Sequence, residues 1–132
     1  MKRILLVMCL VLFTIPLQSQ EESAEISFKE TIIDYGIIEN GENGKRTFEF
    51  KNIGNAPLIF SRIFSSCGCT IPKKPEKPIQ AGESGTIEVE YDTKRTGLFQ
   101  KAITVNSNAK TPNVILRIKG EVLPETEKDD KE

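Results

Sequence analysis

With 132 residues, eighteen Lys and Arg against nineteen Asp and Glu, and a formal charge of −1, the chain has room for one domain and carries no strong charge bias. It contains no His, which excludes Ser-His-Asp and Cys-His activation of a nucleophile and the His-based zinc hydrolase motifs. The absence of a basic run removes the phosphate-neutralising footprint of sequence-independent nucleic-acid binding, so no nucleic acid is expected as a partner.

The N-terminus opens with Lys2 and Arg3, runs apolar from Ile4 to Leu17 with only Thr14 between, and closes on Gln18-Ser19-Gln20. This is the anatomy of a signal peptide. The run is shorter than the roughly 20 apolar residues of a spanning helix, and Pro16 breaks its end. Cleavage after the small Ser19 is expected, followed by a short linker over residues 20–25. Cys9 follows the bulky Met8 within the apolar run, where a lipid-modified cysteine would have small residues before it. The expectation is an exported chain, periplasmic or secreted, in the cell envelope without membrane insertion after cleavage. Removing residues 1–19 takes away Lys2 and Arg3 and both Met residues, and leaves sixteen basic against nineteen acidic residues, a net charge of −3.

From Ile26 onward the pattern has period two. Phe48 and Phe50 share one parity, with Thr47, Glu49 and Lys51 on the other. Ile87, Val89 and Tyr91 alternate with Thr86, Glu88 and Glu90; Phe99, Ile103 and Val105 line up; Val114, Leu116 and Ile118 alternate with Ile115, Arg117 and Lys119. Alternation of this kind marks strands with one face in the core and one in water. Leu58 to Phe64 fits neither parity, which points to a bulge or to a strand buried on both faces. Gly- and Asn-rich turns separate the segments at 40–44, 52–55, 81–85, 92–97 and 106–108, residues that tolerate the positive φ of tight turns. Residues 26–123 are therefore expected to form an all-β, immunoglobulin-like Greek-key sandwich of about seven strands. The antibody signature is missing, because the chain has no Trp. Acidic residues such as Glu49, Glu88 and Glu90 fall on the solvent parity and read as surface, not as a catalytic carboxylate pair. The end of the chain, 124–132, holds five acidic and two basic residues and no apolar one, the composition of a disordered tail.

Cys67-Gly68-Cys69-Thr70 is the one unusual constellation, followed by Ile71-Pro72-Lys73-Lys74-Pro75. After cleavage its two cysteines are the only ones in the chain. Three readings stay open. The segment is a structural turn, with the sulfurs packed as small hydrophobes or locked in a disulfide that spans two residues, with Gly68 easing the backbone. Alternatively, Cys67 and Cys69 present two thiolates to a soft metal such as Cu(I), a site that needs a third ligand from elsewhere. Finally, the pair exchanges thiols with a redox partner, its pKa lowered by Lys73 and Lys74.

Asp34-Tyr35-Gly36, Phe48-x-Phe50-x-Asn52-x-Gly54 with Pro57-Leu58, Cys67-Gly68-Cys69-Thr70, Ala81-Gly82-Glu83 and Gly97-x-Phe99 together resemble the bacterial domain-of-unknown-function family 1573, over about Ile26 to Val122. The resemblance implies an immunoglobulin-like fold similar to major-sperm-protein and Hydin-type modules. Such modules are typically non-catalytic and engage other proteins; here the expected partner is an unidentified envelope protein. Only Cys67, Gly68, Cys69 and Thr70 match the family's distinctive motif as possible site residues, and no cofactor is implied.

Overall fold

Phe48 and Phe50 point into the core and Thr47, Glu49 and Lys51 into water along strand β3, Lys45–Asn52 in this computed structural model, which describes residues 16–126. The same two-sided alternation builds β6 (Ser84–Tyr91), which pairs antiparallel with β3 and places Ile87 opposite Phe48. Three-residue β1 (Ile26–Phe28) flanks β3, and four-residue β5 (Thr70–Lys73) flanks β6, giving a sheet of order β1-β3-β6-β5. The second sheet has the order β2-β8-β7-β4, from β2 (Ile32–Ile38), β8 (Asn113–Val122), β7 (Gly97–Ser107) and β4 (Phe60–Ser65). Here β2 runs parallel to β8, while β7 and β4 pair antiparallel.

The two sheets share one core. Phe48, Ile87 and Val89 meet Ile103, Leu116 and Ile118, all fully buried. Among the described residues eight strands stand where alternation predicted about seven, because β1 and β5 are too short to display a period. The irregular stretch around Leu58–Phe64 is a bulge: the pairing of β4 with β7 shifts between Phe60 and Arg62. Phe60 is buried ahead of the shift, and Ile63 opposes the buried Val105 after it, so residues of opposite parity both reach the core.

Packing begins ahead of Ile26. Ala24, placed by sequence in the 20–25 linker, is 1% exposed and forms a parallel bridge with Ala109. The expected signal peptide falls outside the described residues up to position 15, and the expected tail falls outside them from position 127. Among the described residues no helix is long and apolar enough to cross a membrane.

The turns use their residues differently from the expectation. Positive φ occurs at Gly36, Gly41, Gly82 and Gly97, and at no non-glycine among the described residues. The turn asparagines act through their side chains instead. Asn108 accepts from the Ile59 amide at 2.8 Å and donates to the Pro57 carbonyl at 3.0 Å, Asn55 accepts from Ser23, and Asn43 accepts from Lys45. An amide side chain mimics a missing strand partner, which a φ argument cannot foresee.

Asn52 is the central case. Its side chain is fully buried; its Oδ1 accepts from the amides of Gly54 (3.0 Å) and Glu25 (3.3 Å), and its Nδ2 donates to the carbonyls of Ala56 (2.8 Å) and Ile79 (3.0 Å). One side chain thereby ties together the entry to β1, the loop after β3 and the loop before β6. Both lone pairs of its carbonyl oxygen and both of its N–H donors are thus used inside the protein, as burial demands.

Candidate functional site

The Cys-Gly-Cys segment is the crossover between sheets. Edge strand β4 of one sheet ends at Ser65, and edge strand β5 of the other begins at Thr70. Four residues must carry the chain across that corner. Ser66 donates to the Ala102 carbonyl at 3.4 Å, and the Thr70 amide closes a turn onto the Cys67 carbonyl at 3.2 Å. The Asp92 amide donates to the Cys69 carbonyl at 2.8 Å, fastening the crossover to the turn between β6 and β7. Cys67 and Cys69 are joined as a disulfide with Cα atoms 5.2 Å apart.

The two sulfurs have unlike surroundings. Cys69 is 3% exposed and packs in the core beside the equally buried Thr70, whose Oγ1 lies 3.8 Å from its Sγ. Cys67 is half-buried. Its Sγ accepts from the Cys69 amide at 3.1 Å and from Arg95 Nη1 at 3.9 Å. The Arg95 guanidinium is in turn held near Asp92, 3.9 Å from Nε to the carboxylate. Gly68 sits at the exposed apex without a positive φ, and a Cβ there would touch nothing within 4 Å. Space and backbone conformation therefore do not require glycine at 68.

Lys73 and Lys74 do not lie beside the sulfurs. β5 carries Lys73 to a position opposite Glu88, and Lys74 Nζ donates to the Phe60 carbonyl at 3.4 Å. Neighbours in sequence are drawn away along an extended strand at about 3.3 Å per residue. Arg95, twenty-eight positions from Cys67, replaces them as the cation at the site. It escaped sequence reasoning because its place depends on the pairing of β5 with β6, which sets Thr70 against Tyr91 and brings the following turn alongside.

Behind the disulfide the end of the sandwich is closed by aromatic rings. Tyr91 stacks on Phe99 with centroids 3.9 Å apart, and Tyr35 meets Phe99 edge-on at 5.3 Å. The Tyr35 hydroxyl donates to the Gly44 carbonyl at 2.8 Å, the Thr93 hydroxyl donates to the Glu42 carbonyl at 2.6 Å, and Arg46 lies over the Tyr35 ring at 4.3 Å. A shallow cleft of about 450 Å³ opens here, lined by Glu42, Gly44, Gly68, Cys69, Tyr91 and Thr93 among others. Burial pushes the Tyr35 phenol up to about 12 against the opposing pull of Arg46, and burial likewise raises that of Tyr91.

A phenol held un-ionised in the folded state but free to ionise near 10 when unfolded contributes stability that is complete below pH 10 and lost as pH rises toward 12. Alkaline unfolding should therefore be less steep between pH 10 and 12 in Tyr35→Phe, which should also lose about 1–2 kcal/mol at neutral pH with the Gly44 hydrogen bond. Denaturant titrations across that pH range measure both; an unchanged slope would rule out Tyr35 as the titrating group.

Among the described residues no group of three or more His, Cys, Asp or Glu side chains is placed to hold a metal ion. In the disulfide form neither Cys67 nor Cys69 has a free thiolate to offer one.

Four exposed apolar side chains lie at this same end, while Ile32, Ile53, Ile59 and Ile115, each about half exposed, lie toward the other. Ile37 (69% exposed) is next to the last residue of β2, Ile71 (66%) is second in β5, Leu98 (85%) is second in β7, and Leu123 (40%) follows β8. Leu98 and Ile37 flank Glu121 across three adjacent strands.

The sheet edges, by contrast, are interrupted. β1 has three residues, β2 shifts register between Asp34 and Ile37, β4 is bulged, and β5 carries Pro72. These are the devices by which natural sheets avoid adding further strands.

A family model described as "Protein of unknown function (DUF1573)" matches residues 26–122. No curated protein matches the chain. Among solved structures, a protein of unknown function from Porphyromonas gingivalis W83 is similar at 18% identity and a TM-score of 0.68, over 82% of this chain and 51% of that one. The chain thus spans about half the length of that relative. The ASH/PapD-like domain 7 of human CEP192 is similar at 9% identity and a TM-score of 0.65, over 87% of this chain and 96% of that one. The YadV chaperone is similar at 18% identity and a TM-score of 0.52, over 76% and 52% of the two chains. At these identities the likeness concerns the fold.

Proposed function

Because the chain belongs to the DUF1573 family and has the fold of a PapD-like domain, we propose that it is an exported, non-catalytic binding module of the cell envelope that docks a protein partner through the Cys-Gly-Cys end of its sandwich. The observation that carries this reading is the placement of Ile37, Ile71, Leu98 and Leu123 around that end, each 40% or more exposed. Apolar side chains left in water at one end of a domain, with Ile71 lining the cleft there, fit a protein-binding surface. The interrupted edges favour docking by loops and faces over strand addition, although strand addition is how chaperones capture pilin subunits. Export agrees with the signal-peptide anatomy of residues 1–19 and with a disulfide, which persists in oxidising compartments.

The test is site-specific photocrosslinking in intact cells from Leu98 and Ile71, with the exposed Ile32 and Ile115 near the other end of the strands as controls. Discrete protein adducts should form from the first pair and not from the second. Equal labelling from both pairs, or none from Leu98 and Ile71, would count against docking at this end. The same cells report on export: the purified chain should have the mass of a protein beginning at Gln20, and an intact Met1 would remove the envelope from the reading.

A further inference from the structure

Beyond docking, we propose that Cys67–Cys69 is a redox-active disulfide that exchanges with a dithiol of another protein, with Cys67 as the attacked sulfur, Cys69 as the buried resolving sulfur and Arg95 as the residue that stabilises negative charge on Cys67. The inference rests on the crossover itself and is independent of which surface binds a partner.

Three features of the site carry it. First, access is one-sided: Cys69 is 3% exposed, whereas Cys67 is half-buried beside an open glycine apex where an approaching chain meets no side chain. Exchange requires in-line approach to a sulfur, so the exposed one receives the incoming thiolate. Second, two donors already converge on Cys67 Sγ, the Cys69 amide at 3.1 Å and the Arg95 guanidinium at 3.9 Å. Hydrogen bonds and positive charge favour the thiolate over the thiol, the arrangement that distinguishes reactive from inert cysteines. Third, Arg95 stands 3.9 Å from the Asp92 carboxylate, and the Asp92 amide fixes the Cys69 carbonyl, so the backbone that carries the Cys69 donor is oriented before any charge develops.

The exchange balances as follows. A thiolate of the partner attacks Cys67 Sγ; a mixed disulfide forms, the bond between Cys67 and Cys69 breaks, and its electron pair leaves on Cys69 Sγ, which takes a proton from solvent. The partner's second thiolate then attacks its own sulfur in the mixed disulfide, and Cys67 leaves as the thiolate held by the Cys69 amide and Arg95. The partner dithiol loses two electrons to become a disulfide, and Cys67 and Cys69 gain them. The reverse sequence reduces a partner disulfide.

The probe is reduced glutathione, added to the native wild-type chain with rapid acid quenching, the adduct being located by fragmentation of the peptide that holds both cysteines. The expected adduct lies on Cys67. A disulfide that stays closed in the folded protein and opens only in denaturant, or an adduct on Cys69, would overturn the proposal and leave a structural staple. A second measurement isolates Arg95. In Cys69→Ser, Cys67 should alkylate at neutral pH about three-fold faster with Arg95 present than in the double variant with Arg95→Gln, and high salt should narrow the gap. Equal rates would remove Arg95 from the mechanism. If Cys69→Ser fails to fold, the same comparison is made on wild type and Arg95→Gln by the rate of adduct formation, where Arg95 draws in the incoming thiolate and its loss should slow the adduct by a similar factor.

Discussion

Asn52→Ala should be among the most destabilising single changes in this domain, costing about 3–5 kcal/mol, a large share of the roughly 5–15 kcal/mol that holds a typical domain folded. The side chain is fully buried and makes four hydrogen bonds to four backbone groups. Alanine removes all four and leaves the amides of Gly54 and Glu25 and the carbonyl of Ala56 without a partner in a place water reaches poorly, while the Ile79 carbonyl keeps the Leu58 amide. Each such orphan costs about 1–3 kcal/mol, discounted where the loops relax enough to admit water. Urea unfolding measures the loss as a fall in midpoint; a change below about 1 kcal/mol would show that the hub is dispensable. Asn52→Asp sharpens the test. A carboxylate accepts well from the two amides but faces the Ala56 and Ile79 carbonyls with nothing to donate. Its folded-state pKa should lie above the unfolded one, so the variant is least impaired in acid and loses further stability as pH rises through the carboxylate range.

Gly44→Ala is expected to cost about 3 kcal/mol or more, by a different mechanism. Gly44 is buried where the loop after β2 enters β3, and its carbonyl accepts from the Tyr91 amide (3.1 Å) and the Tyr35 hydroxyl (2.8 Å). A Cβ at this position would run into the Tyr91 carbonyl oxygen and stand 3.0 Å from Thr93 Cγ2. Backbone cannot step aside as a flexible side chain can, so the strands must part at the end where β3 meets β6. Both hydrogen bonds to Gly44 then weaken, and the aromatic closure under the cleft loosens with them. For a domain of this size the melting temperature should fall by roughly 12 °C or more. A shift of a few degrees or less would mean that the loop yields without disturbing the ladder.

Loss at Gly44 should also reach the candidate site. The Cys69 carbonyl is held by Asp92, one residue after Tyr91, so separation of β6 from the Gly44 loop disturbs the turn that supplies Arg95.

Much of this architecture was legible beforehand. The strands carrying Phe48, Ile87, Phe99 and Leu116 appeared where alternation put them, because each has one face in the core and one in water over seven or more residues. Of the two readings that the irregular parity of Leu58–Phe64 leaves open, a bulge or a strand buried on both faces, the structure has the bulge. The family resemblance carried by Asn52-x-Gly54-x-x-Pro57-Leu58 and Cys67-Gly68-Cys69-Thr70 holds over the span that was expected. Within that first motif the structure supplies the reason: Asn52 is a hydrogen-bond hub, and Gly54 lets the chain pass against the backbone of Ser23 and Glu25.

Composition and alternation were enough to establish that the domain is all-β, where its longer strands run, that the chain has no imidazole, and that two cysteines stand two positions apart. These are properties of composition and of short-range periodicity, which survive without knowledge of what pairs with what. Long-range pairing was needed to reveal that the Cys-Gly-Cys segment bridges the edges of two sheets, that Cys67 and Cys69 differ in exposure, and that Arg95 rather than Lys73 or Lys74 stands over the sulfur. Those outcomes depend on the register between strands distant in sequence. Pairing energies there are shared among many backbone groups, and no single residue announces its partner.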